Sequence, residues 1–227
     1  MEIILHEDSA RTRAKREQIL AGAQRAFLRE GFAAVSTDTL AREAGVSKRT
    51  LYAYYPGKEE LFVDVLRGLT IEQPKTNVLA FIRAIAPNTV EELHEVLVQL
   101  AERIMAITMT PEYLAVMRAI IADSHRFPQL TEAVRSTIPE MALKEIGDML
   151  QRARENGVAL RGDGDIMTRL YLGSLFSYVL LDGLLRPLSQ PQPPDVRKIR
   201  QIVDLYMQAI SGDEHTRKDE SNDNLDN

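Results

Sequence analysis

The stretch TDTLAREAGVSKRTLYAYYPGKEEL, residues 37–61, holds two short helical runs around a glycine. Two tyrosine steps, a proline-glycine break and a third run opening on a lysine follow it. Ser36 is placed to N-cap a helix running through Ala44 and closed by Gly45, and Ser47 to N-cap a second one reaching about Tyr54, before Pro56. Two helices joined by three or four residues need a glycine where the backbone reverses and a small residue where they touch. Gly45 and Ala41 occupy those places. Val46 and Leu51 then point into a small core, which leaves Lys48, Arg49 and Thr50 outward at the start of the second helix. Such an end enters a major groove, where Lys or Arg donates to guanine O6 and N7 and Thr meets a thymine methyl. Tyr52 and Tyr54 offer hydroxyls to phosphate, and Lys58 opens the next helix, where free amides and the dipole favour an anion. Ser36 and Thr37, at the start of the first motif helix, complete the candidate DNA-binding set.

Working outward, apolar spacing predicts helices and no strand. Ile19, Ala23, Ala26 and Phe27 recur on one face between Arg11 and Glu30, and Gly31 follows as a stop. Thr89 and Glu92 form a capping box for a helix to about Thr108, and Thr110-Pro111 opens another. Gln129 to Asn156 reads as helical with a break near Pro139, and Asp165–Arg186 and Asp195–Ile210 as two long helices joined by RPLSQPQPPD. The expected fold class is all-α. An N-terminal three-helix domain carries the helix-turn-helix, and a larger C-terminal helical domain follows it.

The chain of 227 residues carries a net charge of -5, but residues 11–58 hold ten Arg or Lys against four acids. A basic module of +6 on an acidic body suggests a polyanion binder whose larger part does something else. The absence of cysteine excludes disulfides, thiolate zinc sites and cysteine nucleophiles. The N-terminus MEIILHEDSARTRAKREQ has only a three-residue apolar run, so no signal peptide is expected and the protein is expected in the cytoplasm. The run LYLGSLFSYVLLDGLL, residues 170–185, is too short for a membrane span and contains Asp182.

The run from ILAGAQRAFLREGF through STDTLAREAGVSKRTLYAYYPGKEELF resembles the DNA-binding domain of the TetR family of bacterial transcriptional regulators. The likeness covers about the first third of the chain and rests on Gly31-Phe32, Leu40-Ala41, Ala44-Gly45-Val46-Ser47, Leu51-Tyr52, Tyr54-Tyr55 and Lys58-Glu59-Glu60-Leu61. Thr39 and Gly57 depart from its usual residues without removing a DNA contact. RFPQLTEAVRSTIPEMALKEIGDMLQRARENG looks like the C-terminal domain of the AefR-like branch. The resemblance implies a homodimeric repressor, bound to double-stranded operator DNA and released by a small-molecule effector. The expected boundaries are a flexible arm over 1–10, the DNA-binding domain over 11–57, an effector and dimerisation domain over 58–211 and a disordered acidic tail over 212–227, where GDEHTRKDESNDNLDN lacks an apolar face.

A helix apolar on every side in a soluble protein is buried on every side. The last two long helices therefore suit a four-helix interface between subunits, or packing inside one. The candidate interface residues are Gly173, Ser177, Leu181, Leu184, Val196, Ile199, Val203, Tyr206 and Ile210. Candidate pocket residues are Met105, Met109, Tyr113, Met117, His125, Phe127 and Phe176, methionine suiting adaptable apolar cavities. No catalytic residue, metal site or cofactor is expected, since the four histidines are scattered and no Gly-rich phosphate loop occurs. Two other readings stay open at this point: an effector-independent repressor or architectural protein, and a helical enzyme fused to a DNA-binding module.

Overall fold

Caps and apolar spacing dictate most of these helices, and the computed structural model, which describes residues 10–69, 78–187 and 189–212, contains ten α-helices among those residues. They are α1 (Ala10–Ala34, interrupted by a kink at Gly31, φ 79°, where a stop was expected), α2 (Thr37–Glu43), α3 (Lys48–Tyr54), α4 (Lys58–Leu69), α5 (Val78–Ala84), α6 (Val90–Thr108), α7 (Pro111–Asp123), α8 (Pro128–Glu155), α9 (Gly164–Tyr178) and α10 (Val196–Ile210). A π-helix over Val179–Leu184 follows α9 directly. The expected arm falls outside the described residues except for Ala10, and the expected tail except for Gly212. No single helix among the described residues is long and apolar enough to cross a membrane.

The chain divides into two units, residues 1–70 with 112–138, and residues 71–111 with 139–227. In the first unit Ile19, Ala23 and Phe27 of α1, Leu40 and Ala44 around α2, Leu51 of α3 and Leu61, Phe62 and Leu66 of α4 share one core. Phe27, Phe32 and Phe62 pack together in it, with ring centroids 4.9–6.0 Å apart, Phe62 meeting the other two edge-to-face. The packing therefore does not divide at 57/58: α4 presents Leu61, Phe62, Val65 and Leu66 to the same core as α1 and belongs with the helix-turn-helix. Val116 and Ile120 of α7 and Leu130 and Val134 of α8 also join this core.

In the second unit α10 packs on α6 and α9. The Tyr171 ring lies 5.4 Å from that of Tyr206, and its hydroxyl donates to the Leu97 carbonyl at 2.6 Å. The end of α10 is tied back by Arg161 N–H to the Ile210 carbonyl (2.7 Å) and by Gly212 N–H to that of Ala159 (3.0 Å). Two expectations about elements are corrected here. Pro139 lies inside a continuous α8 rather than at a break, at the point where the two units divide. A proline can sit inside a helix when the amide bond and ring clearance it forfeits are absorbed by its surroundings. The helix expected from Asp165 to Arg186 is α-helical only to Tyr178 and continues as the π-helix.

Candidate nucleic-acid interface

The helix-turn-helix is set by a small number of local decisions. The Ser36 hydroxyl accepts from Thr39 N–H at 3.1 Å and the Ser47 hydroxyl from Thr50 N–H at 3.0 Å, so both short helices start where their caps stand. Gly45 turns the chain at φ 63°, in the left-handed region. Val46 N–H then returns to the Ala41 carbonyl at 2.9 Å. Helix α1 finishes the end of α2: Gln18 donates to the Ala44 carbonyl at 2.7 Å and Arg25 to that of Glu43 at 2.8 Å. The close approach is made by Gly22, where an added Cβ would stand 2.4 Å from the Ala44 Cα. Ala41, placed by the sequence at the contact of α2 with α3, is buried, whereas the approach of α1 to α2 at Gly22 went unread, since nothing in the sequence says which turn of α1 crosses α2.

With that frame fixed, Leu51 is buried and Lys48, Arg49 and Tyr52 are exposed on the other side of α3. Arg49 makes no hydrogen bond or ion pair among the described residues. Lys48 Nζ pairs with Asp38 Oδ1 of α2 at 2.7 Å, and that hydrogen bond raises its pKa, so it is charged but already engaged. Half-buried Thr50 shares a 2.8 Å hydroxyl contact with Ser47. Tyr54 is half-buried against the core rather than displayed like Tyr52, Ser36 is exposed, and Thr37 is half-buried.

Lys58 departs from its expected part. Its ammonium donates to the Phe32 carbonyl at 2.7 Å and the Val35 carbonyl at 3.0 Å, and lies 4.2 Å from the Phe32 ring centroid. It thus satisfies carbonyls left over at the end of α1 and holds α4 to the α1–α2 corner, instead of waiting at the surface for phosphate.

The candidate pocket residues divide between the two units. His125 is exposed and Phe176 is 52% exposed, so neither lines an enclosed cavity of this chain. Met117 and Phe127 pack on the first unit's core, with Phe127 5.2 Å from Phe32. Tyr113 is half-buried in the same unit, whereas buried Met105 and Met109 belong to the second. A cleft on the first unit is lined by Glu59, Glu60, Val63, Asp64 and Ala133 and is open, with three acidic side chains around it. In the second unit the Tyr206 hydroxyl is buried without a hydrogen-bond partner among the described residues, and burial pushes its phenol above the ordinary value.

The candidate interface residues also separate. Ile199, Val203, Tyr206 and Ile210 are at most 4% exposed, and Leu184 is buried too, so they are spent inside their own chain. The seam at steps of three and four on α10 is an intramolecular one. Gly173, Ser177, Leu181 and, on α10, Val196 are exposed, and the first three with Ile166, Leu170, Phe176, Leu180 and Leu185 leave a largely apolar stripe along α9, the π-helix and its C-terminal end. Sequence missed Ile166 and Leu170 because a helix apolar on every side gives no period from which to tell its outer face.

Residues 19–65 match the family described as bacterial regulatory proteins, tetR family, and residues 95–209 match the C-terminal domain of AefR-like transcriptional repressors. The HTH-type transcriptional regulator EthR of Mycolicibacterium smegmatis is 44% identical over 51 residues, which are 22% of this chain and 24% of that regulator's length. A crystal structure described as a TetR-family transcriptional regulator of Mesorhizobium loti MAFF303099 is similar over 90% of this chain and all of its own, with 24% identity and a TM-score of 0.67. The structure titled flavonoid-responsive regulator FrrA is similar over 87% of this chain and 97% of its own, with 26% identity and a TM-score of 0.62.

Proposed function

This chain belongs to the TetR family of bacterial regulatory proteins and is a DNA-binding transcriptional regulator, and we propose that it is a homodimeric repressor released from its operator by a small-molecule effector. The observation that carries the DNA-reading half is Arg49. It stands exposed and unengaged at the start of α3, on a helix whose opposite face is fixed by Leu51 in the core. In that position a guanidinium donates in bidentate fashion to guanine O6 and N7. Lys48 joins it by exchanging Asp38 for a base or phosphate, while Tyr52, Ser36 and Thr37 contact the backbone. Lys58 acts from inside, as a clamp.

The homodimer reading is supported by the apolar stripe of Ile166, Leu170, Phe176, Leu181 and Leu185 on the outside of the second unit, larger than isolated exposed residues require. A second copy meeting it through a two-fold axis presents two α3 helices to two half-sites. The effector reading is supported by the likeness to FrrA, described as flavonoid-responsive, and by the AefR-like repressor domain. The buried, unpartnered Tyr206 hydroxyl supports placing the effector in the second unit. A regulator of this kind needs no catalytic group or cofactor, and it works where the chromosome is, in the cytoplasm.

Selection of bound fragments from random duplex DNA tests the whole reading. The account expects an inverted repeat whose half-sites lie about 34–36 Å apart, one helical turn, or a multiple of that. Recovery of a single unrepeated site would remove the dimer, and recovery of no preferred sequence would remove base reading by α3.

A further inference from the structure

The end of α3 is held by a network that the DNA-reading surface does not use. Tyr55 is the first residue after α3, its ring is 5% exposed in the core of the first unit, and its N–H closes the helix on the Leu51 carbonyl at 2.9 Å. A phenylalanine would fill that space equally well, so the hydroxyl needs its own explanation. It donates to Asp64 Oδ2 of α4 at 3.0 Å and accepts from Arg16 Nε of α1 at 3.1 Å. Arg16 Nη2 reaches the same Asp64 oxygen at 2.5 Å, which closes a triangle of three groups from α1, α3 and α4. Burial pushes the Tyr55 phenol up to about 12, so it keeps its proton and remains a donor at any ordinary pH.

We propose that Arg16, Tyr55 and Asp64 form a positioning lock that fixes the exit of α3 to α1 and α4 and thereby sets the angle at which α3 meets DNA. The proposal rests on the reading of α3 as the base-reading helix. The start of α3 is fixed by the Ser47 cap and the Gly45 turn. Fixing the other end leaves the axis no freedom. A seven-residue helix is only about 10 Å long, so a 1 Å slip at its exit tilts it by roughly 5° and moves Arg49 relative to a base edge. The lock also makes α3 and α4 one body, with the Lys58 clamp at the start of α4 and Asp64 further along it. None of the three groups has to touch DNA for this.

The full-length protein and two duplexes test it: one carrying the selected operator and one of the same length with random sequence. Tyr55→Phe removes only the hydroxyl, and Asp64→Asn keeps the shape while removing the charge. Each is expected to lose about tenfold on the operator, the size of one net hydrogen bond. Random-duplex affinity and its salt dependence should stay at wild-type values. The double variant should lose no more than the worse single one, because both break the same unit. Unchanged operator affinity with only a lower melting temperature in either variant would overturn the proposal, since the network would then serve stability alone. Equal losses on both duplexes with a shallower salt dependence would overturn it too, since Arg16 or Tyr55 would then be holding phosphate. Arg49→Ala run in parallel keeps the two readings apart. Should it retain the wild-type base preference, the reading of α3 has failed and the lock falls with it. Should it alone change the preference while Tyr55→Phe changes nothing, only the lock has failed.

Discussion

At the scale of residues, the two glycines Gly22 and Gly68 make opposite demands that the sequence writes identically. Both lie inside helices, where replacement by alanine normally stabilises by about 0.5–1 kcal/mol. Gly68 has nothing within 4 Å of where a Cβ would stand, so Gly68→Ala is expected to stabilise by about that increment and to raise the melting temperature accordingly. At Gly22 the added carbon would meet backbone of Ala44 at 2.4 Å and of Glu43 at 2.8 Å, so Gly22→Ala is expected to destabilise by roughly 1–3 kcal/mol. Thermal unfolding followed by circular dichroism checks both, and a Gly22→Ala protein as stable as wild type would mean that α1 does not press on the α2–α3 turn. The same contrast explains what was legible. The caps Ser36 and Ser47 and the turn at Gly45 could be read directly, because each acts on residues two or three positions away. Lys58 was misread because its partners, Phe32 and Val35, lie 26 and 23 residues upstream, and a lysine at a helix start advertises anion binding whichever way its chain folds.

At the scale of elements, periodicity gave α6 and α10, with the cap at Thr89 where it was expected and α10 capped by Asp195, read from the sequence only as that helix's first residue. It failed on α5, a seven-residue helix too short to show a period. That helix is held from outside. Arg83 pairs with Glu145 of α8, Arg152 donates to the Ile82 carbonyl at 2.9 Å and Asn156 to that of Ala86 at 3.2 Å. The Arg83 hydrogen bond holds the Glu145 carboxyl below its ordinary value of 4.5. A carboxyl depressed in the folded state stabilises that state above the unfolded pKa, and the contribution disappears as pH falls through the folded value. Wild-type protein should therefore lose more melting temperature than Glu145→Gln between about pH 7 and about pH 3, and the two should converge at the acid end. Parallel melting curves across that range would show that the pair contributes nothing to the fold. The π-helix after α9 was beyond sequence reading for a different reason. Its α-to-π change depends on where the backbone bonds settle, and VLLDGL carries no signature of that.

At the scale of the molecule, an acidic total charge hides a basic reading unit, and here composition by segment was the informative quantity. What composition could not do was orient the apolar helices of the second unit. The run at 170–185 was legible as buried, but not as divided between its own core, through Tyr171, Leu175 and Val179, and an outer stripe through Leu170, Phe176 and Leu181. The two faces predict different failures. Leu170→Glu places a charge in the proposed dimer surface, at several kcal/mol per subunit if the site is dry, and should yield folded monomers by light scattering. Val203→Glu, in a side chain with no exposure at all, should unfold the second unit instead. Folded Leu170→Glu dimers would move the interface off α9.

The central claim is that an exposed arginine at the start of α3 reads a base in each of two half-sites. Its most direct test is a comparison of the sequence preferences of wild-type protein, Arg49→Ala and Lys58→Met, each determined by selection from random duplex DNA with affinities measured at several salt concentrations. The account predicts that Arg49→Ala loses about 1–3 kcal/mol on the operator and its preference at one symmetric pair of positions. Lys58→Met should keep the wild-type salt dependence, because its ammonium serves the Phe32 and Val35 carbonyls. An Arg49→Ala protein that weakens uniformly on all sequences, with its base preference intact, would contradict it.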